Sequence, residues 1–223
     1  MRILIYGDSN SWGLLDDGQG LRYENRWPEV MRQHLQEILG RNITLIEESL
    51  PGRTTAYPDP QEGPEYNGLP FLKPALLSHA PLDMVLIMLG TNDMKARFNA
   101  SANAIGDNLI TLAKIVRRAP VGNGPWRDAP TPPVMVIAPA KLGNRASDPL
   151  WNRYEEWRDG AEKMTALPET IADKITAHGD EGIYFADASE AVTPSERDPI
   201  HWHQDCHHKM GRYMAETLQP LLG

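Results

Sequence analysis

The stretch Met1-Arg-Ile-Leu-Ile-Tyr-Gly-Asp-Ser-Asn-Ser-Trp12 decides the reading of this chain: a short apolar run that stops at Gly7-Asp8-Ser9. Ile3, Leu4, Ile5 and Tyr6 are apolar, β-branched or aromatic without helical spacing, and Gly7 punctuates them, which predicts a buried strand ending in a turn. Ser9 then falls at the carboxyl end of that strand. In open α/β sheets this is where ligands bind, because the loops form a crevice and the next helix directs its positive end into it. Serine after a strand is also a common helix N-cap or turn former, so this segment by itself leaves both roles open.

The same pattern recurs. Met84-Val-Leu-Ile-Met-Leu89 is an unbroken apolar run that ends in Gly90-Thr91-Asn92-Asp93. Further strands are predicted at 43–47, 134–138 and 183–186. Between them, apolar residues repeat at helical spacing. Trp27, Val30, Met31, Leu35 and Ile38 form one such series, closed by Gly40, and Ile105, Leu109, Leu112 and Val116 lie on one face of a helix over 102–118. A short helix is expected around 71–79, a long one over 151–178 that breaks or kinks at Pro168, and a last one ending near Leu218. Strands alternating with helices imply a parallel sheet covered on both faces. The expected fold is α/β, a three-layer α/β/α domain spanning 1–223 with a five-stranded parallel sheet of flavodoxin-like order. The connection 57–74 is rich in proline, glycine and acids, and loops of that kind are usually functional or interfacial. The stretch 119–133 carries five prolines and is expected to be irregular.

Composition narrows the function classes. At 223 residues the chain suits one α/β domain. A formal charge of −8 with no basic cluster argues against a nucleic-acid surface, since neutralising phosphates requires a basic face. Cys206 is the sole cysteine, so an internal disulfide is impossible and residence in the cytoplasm fits. The apolar run before Gly7 is too short for a signal-peptide core, and no apolar run approaches the roughly 20 residues of a membrane helix.

Ser9, Gly52, Asn92 and the pair Asp198 and His201 fall at strand ends or in the last loop, and together they are the parts of an acyl-transfer site. A serine hydroxyl is a weak nucleophile until a histidine accepts its proton, and a carboxylate holds that histidine in the right tautomer. Asp198 and His201 are three apart around Pro199, so one turn can join them. The Ser9 and Gly52 N–H groups and the Asn92 amide would supply donors to an oxyanion.

The blocks GDSN at 7–10, LPGRTT at 50–55, GTND at 90–93 and DPIH at 198–201 resemble those of the SGNH hydrolases, the GDSL-like esterases, over nearly the whole chain. The resemblance implies Ser9 as nucleophile, His201 as general base, Asp198 as its acidic partner, and Ser9, Gly52 and Asn92 as the oxyanion hole. The runs GDSNSWG, EESLPGRTT and IMLGTNDMKA are similar to the bacterial arylesterase and acyltransferase branch. That implies short-chain acyl esters of small-molecule alcohols as substrates, no cofactor, a homo-oligomer, and acyl transfer or perhydrolysis beside hydrolysis. Carbohydrate O-deacetylation is the alternative within enzymes. A noncatalytic binding module on this fold is the alternative outside them, and loss of a triad residue would support it. Asn10 stands where leucine is commoner and Pro199 where glycine is commoner.

Other readings attach to particular residues. His201, His203, Asp205, Cys206 and His207 are all metal-ligand types, but their spacing follows no zinc pattern and no second thiol is present, so solvated loop histidines are expected and no metal. Asp8 and Asp93 could pair for acid–base work, although each is expected to bond turn backbone. Trp12 is either core or a wall of the acyl pocket. Arg53 either fixes its loop or meets a polar substrate.

Overall fold

A computed structural model describes every residue except 18, 126, 127, 195 and 196. Five strands, β1 (Arg2–Gly7), β2 (Thr44–Ser49), β3 (Met84–Met88), β4 (Val134–Ala138) and β5 (Ile183–Asp187), form one all-parallel sheet in the order β2-β1-β3-β4-β5. The helices are α1 (Ser9–Trp12), α2 (Trp27–Leu39), α3 (Gly68–His79), α4 (Ala102–Arg117), α5 (Tyr154–Trp157), α6 (Gly160–His178) and α7 (Gln204–Leu222).

Strand alternation divides the core into two layers. Ile3 and Ile5 face a cluster built with Trp27, Met31 and Leu35 of α2 and Met210, Met214 and Leu218 of α7. Leu4 and Tyr6 face the opposite cluster, with Leu72 of α3, Leu109 and Leu112 of α4 and Leu167 of α6. Successive side chains of a strand point to opposite faces, so a run that is apolar at every position requires cover on both sides. This is the expected three-layer α/β/α architecture with flavodoxin-like order. After β2 the chain crosses over β1 to build β3 on its other side, so the carboxyl ends of β1 and β3 flank the switch point where ligands bind in such sheets.

Several element limits differ from the sequence expectation. The helix expected at 71–79 begins at Gly68, because the Asn67 side chain accepts the Leu69 N–H at 3.0 Å and caps it there. The helical segment 151–178 does not break at Pro168. It is divided between Trp157 and Gly160, and α6 continues through the proline, held by the buried Met164, Leu167 and Ile171. Helix α6 opens at Gly160, where a side chain would press on Leu142. Ile38 of α2 is 41% exposed and stands outside the apolar stripe assigned to it. Helix α7 runs past Leu218 to Leu222. The segment 57–74 contains a 3-10 turn at Pro64–Tyr66 besides the start of α3, and Gln61 and Glu62 border a charged cleft of about 550 Å³ with Lys95, Arg97, Arg153 and Glu156.

Candidate active site

Gly7 closes β1 and passes directly into the turn that carries Ser9. A side chain at Gly7 would collide with Ser11, so only glycine lets the strand end lie against α1. Asp8 caps α1 by accepting the Asn10 N–H at 3.0 Å. Ser9 thus occupies the first position of a helical turn, with its hydroxyl 3.2 Å from His201 Nε2.

The loop before α7 brings the imidazole to that hydroxyl. Asp198 Oδ1 accepts the N–H groups of Ile200 at 2.8 Å and His201 at 3.1 Å, a turn closed by its own side chain, and Oδ2 meets His201 Nδ1 at 2.7 Å. Burial pushes the Asp198 carboxyl up. The hydrogen bond and charge of His201, with those two N–H groups, outweigh it and hold the group at about 2. Pro199 fits this turn, and its carbonyl accepts the Gly143 N–H at 2.8 Å. Asn10 Nδ2 donates to the Ile200 carbonyl at 3.1 Å, tying the helix that carries Ser9 to the turn that carries the imidazole. The polar residue at position 10 therefore bonds the loop of Asp198 and His201.

The second and third blocks meet beside Ser9. Gly52 has φ +90°, a conformation natural to glycine, and a Cβ there would lie 2.9 Å from the Tyr66 ring. Asn92, in a 3-10 turn after β3, donates one amide hydrogen from Nδ2 to the Arg53 carbonyl at 3.1 Å. One amide hydrogen is left, and the Gly52 N–H bonds no described residue.

Arg53 reaches back to the sheet. It is 7% exposed, and its guanidinium lies under the sheet end, donating to the carbonyls of Gly7 and Glu48 and stacking 4.1 Å from the Tyr6 ring centroid. Fixing the loop is its visible task, because those two carbonyls lie at the carboxyl ends of β1 and β2. Trp12 is partly buried at the end of α1, with the Arg22 guanidinium 5.2 Å from its ring centroid, and so is not a plain core residue.

Asp8 and Asp93 are both fully buried, and burial raises them to about 6 and about 7. As expected, Asp8 bonds the turn backbone beside its own strand, at Asn10; Asp93 instead bonds the backbone of Thr55, in the loop after β2. The histidines of the last segment turn to separate partners. His203 meets Asp16 at 2.6 Å, Cys206 Sγ donates to the Thr193 carbonyl, and His207 accepts the Trp27 N–H. Among the described residues no group of His, Cys, Asp or Glu is arranged to hold a metal ion. His207 is not a solvated loop histidine as expected; it lies in α7 and is fully buried.

Sequence reasoning missed Asn108. Its amide donates to the Thr55 hydroxyl at 3.1 Å. A signal existed: Asn108 is polar yet falls on the stripe of Ile105, Leu109 and Leu112.

A doubly wound α/β sheet with a serine, imidazole and carboxylate in one hydrogen-bonded line at its switch point defines the serine hydrolase class. The chain matches the GDSL-like Lipase/Acylhydrolase family over residues 5–208 and belongs to that family. It is a carboxylic ester hydrolase. The aryl esterase of M. smegmatis superposes with a TM-score of 0.86 at 31% identity, over 99% of both chains. A carbohydrate acetylesterase from Sinorhizobium meliloti superposes with a TM-score of 0.86 at 30% identity, again over 99% of both. No curated protein matches the chain closely enough to add a relative. Among the described residues, no helix is long and apolar enough to cross a membrane.

Proposed function

We propose that this protein is a serine esterase that cleaves acetyl-type esters through an acyl-enzyme on Ser9. The observation that carries the reading is the line from Ser9 Oγ to His201 Nε2 at 3.2 Å and from His201 Nδ1 to Asp198 at 2.7 Å. Ser9 Oγ attacks the ester carbonyl as His201 takes its proton, and Asp198 stabilises the imidazolium. The Ser9 and Gly52 N–H groups and the free hydrogen of the Asn92 amide face the oxyanion. The tetrahedral intermediate collapses as His201 returns the proton to the departing alcohol. Water then repeats the two steps on the acyl-enzyme and releases the acid.

The acetyl preference is supported by the aryl esterase and carbohydrate acetylesterase that share the fold at about 30% identity. Both aryl and sugar alcohols fit this reading, as does transfer of the acyl group to an added alcohol or hydrogen peroxide in place of water. A role for Trp12 as a wall of the acyl pocket belongs to this reading and is supported by its position three residues beyond Ser9 and its partial exposure. Cytoplasmic residence agrees with the single cysteine. A homo-oligomer is supported by the long proline- and glycine-rich connections 57–74 and 119–133, loops of a kind that are usually functional or interfacial.

Hydrolysis of p-nitrophenyl acetate by the wild type and by Ser9→Ala tests the central reading: turnover by the first and background by the second is expected. Equal activity in both would end it. A methanol-dependent methyl acetate product tests transfer, and solution scattering with a monomeric mass would remove the oligomer.

A further inference from the structure

We propose that Thr55, Asp93 and Asn108 form a positioning relay that sets the two loop-borne oxyanion donors, Gly52 and Asn92, at their working separation. The inference rests on the reading of Gly52 and Asn92 as those donors. None of the three relay residues faces the ester.

The two donors come from different loops, one after β2 and one after β3, and nothing in either loop alone fixes the distance between them. Asp93 follows Asn92 within the same 3-10 turn. Thr55 lies three residues beyond Gly52. Both Asp93 carboxylate oxygens accept the Thr55 N–H at 3.0 Å, and Oδ1 also accepts the Thr55 hydroxyl. Asn108, on α4, donates its amide to that hydroxyl oxygen at 3.1 Å. An oxygen receiving the amide hydrogen must direct its own proton elsewhere, and Asp93 is the acceptor in place. The relay therefore has one polarity, Asn108 to Thr55 to Asp93. Nearer the donors, Asn92 Nδ2 bonds the Arg53 carbonyl at 3.1 Å, so the loops are joined directly after Gly52 and again at Thr55.

Thr55 and Asp93 are both fully buried, where a satisfied hydrogen-bond network is stronger than in water and holds its members in place. Oxyanion donors act only when placed close to where the negative oxygen will form, and a site left about 0.5 Å loose forfeits much of its effect. A buried, one-directional tie between the two loops meets that demand. It also explains an asparagine on the inward stripe of an otherwise apolar helix face.

The test uses the full chain with Thr55→Val, which keeps the shape and loses the hydroxyl, Thr55→Ser, which restores it, and Asn108→Ala. Pre-steady-state bursts with p-nitrophenyl acetate give the acylation rate and the substrate dissociation constant. Affinity for a boronic acid that forms a tetrahedral adduct reports on the oxyanion hole. Thr55→Val is expected to slow acylation roughly tenfold to a hundredfold and weaken the boronic acid by a similar factor. The substrate dissociation constant is expected to stay within about twofold and the burst at one equivalent, with Thr55→Ser close to wild type. A Thr55→Val protein that only melts earlier, with acylation and inhibitor affinity intact, overturns the relay, as does a Thr55→Ser protein as slow as the valine variant. If Thr55→Val does not fold, Asn108→Ala decides: a severalfold slower acylation supports the relay and an unchanged one removes it. Ser9→Ala with a surviving burst would instead refute the serine mechanism, an outcome separate from these.

Discussion

His207 Nδ1 accepts the main-chain N–H of Trp27 at 3.3 Å, so a side chain of the last helix caps the first turn of α2. Arg26, at the N-cap position, makes no side-chain cap of its own, and Pro28 contributes no N–H. The imidazole is wedged between Tyr23 and Trp202 at centroid distances of 5.2 and 5.6 Å, and α2 and α7 pack on the same face of the sheet. Burial, with the charges of His208, Arg26 and His201, pushes His207 down to about 3. It is neutral in the folded chain and protonates freely only when unfolded.

The unfolded chain therefore takes up this proton near pH 6.5 and the folded chain only near 3. The stability that depends on a neutral His207 is complete above about pH 6.5 and is lost progressively as the pH falls toward 3. The slope inside that window is about 1.4 kcal/mol per pH unit. Asp8 and Asp93, raised to about 6 and about 7, act with the opposite sign over this range, so the histidine is read as a difference: from pH 7 to pH 4 the urea-derived stability of the wild type should fall relative to that of His207→Gln along that line. An identical slope in both proteins would disprove it.

Asp198→Asn should lower kcat roughly 10⁴-fold, because an amide leaves the imidazole in the wrong tautomer while keeping its place. A loss below tenfold would separate Asp198 from the chemistry. Since Asp198 is held at about 2, it stays ionised through the acid limb of the activity profile, and kcat/KM should follow a single proton down to about pH 3. Its contribution to stability has the opposite reference to a histidine's. It is present above the ordinary carboxylate value of 3.8 and lost as the pH falls through about 2.

Asn92→Ala removes the side-chain donor and the tie to Arg53 together. A loss of about 10²–10³-fold in kcat is expected with substrate affinity little changed. A variant that raises KM and spares kcat would show ground-state binding instead.

Asn10→Leu separates stability from activity. Leucine leaves the Ile200 carbonyl without its donor, a cost of about 1–3 kcal/mol, but it also removes Asn10 Oδ1, which is buried without a partner. The two terms oppose each other, so the thermal midpoint should move little. The loop that holds His201 against Ser9 loses a side-chain link to α1, and kcat should fall roughly tenfold. An unchanged kcat would refute the role.

Much of the candidate site was legible before folding, because its parts are local. A strand that stops at glycine and presents a small polar residue is visible at Ser9 and Asn92, and the Asp198 turn spans only four residues. Gly52 could be identified only by its block. The element limits that sequence misjudged were decided by packing and capping: α6 runs through Pro168 because three buried side chains hold it, and α3 starts early because Asn67 caps it.

The sequence alone determined the alternation of strands and helices, the layers that unbroken apolar strands require, and the residues at the strand ends. These follow from side-chain periodicity and turn chemistry within a few residues. The tertiary structure decided that Arg53 clamps the ends of β1 and β2, that His207 caps α2 across 180 positions, and that Asn108 reaches Thr55 and so Asp93. A buried polar group must find its partner wherever the chain passes. Which segment passes there is settled by the crossing of the whole chain over the sheet, and no local pattern records it.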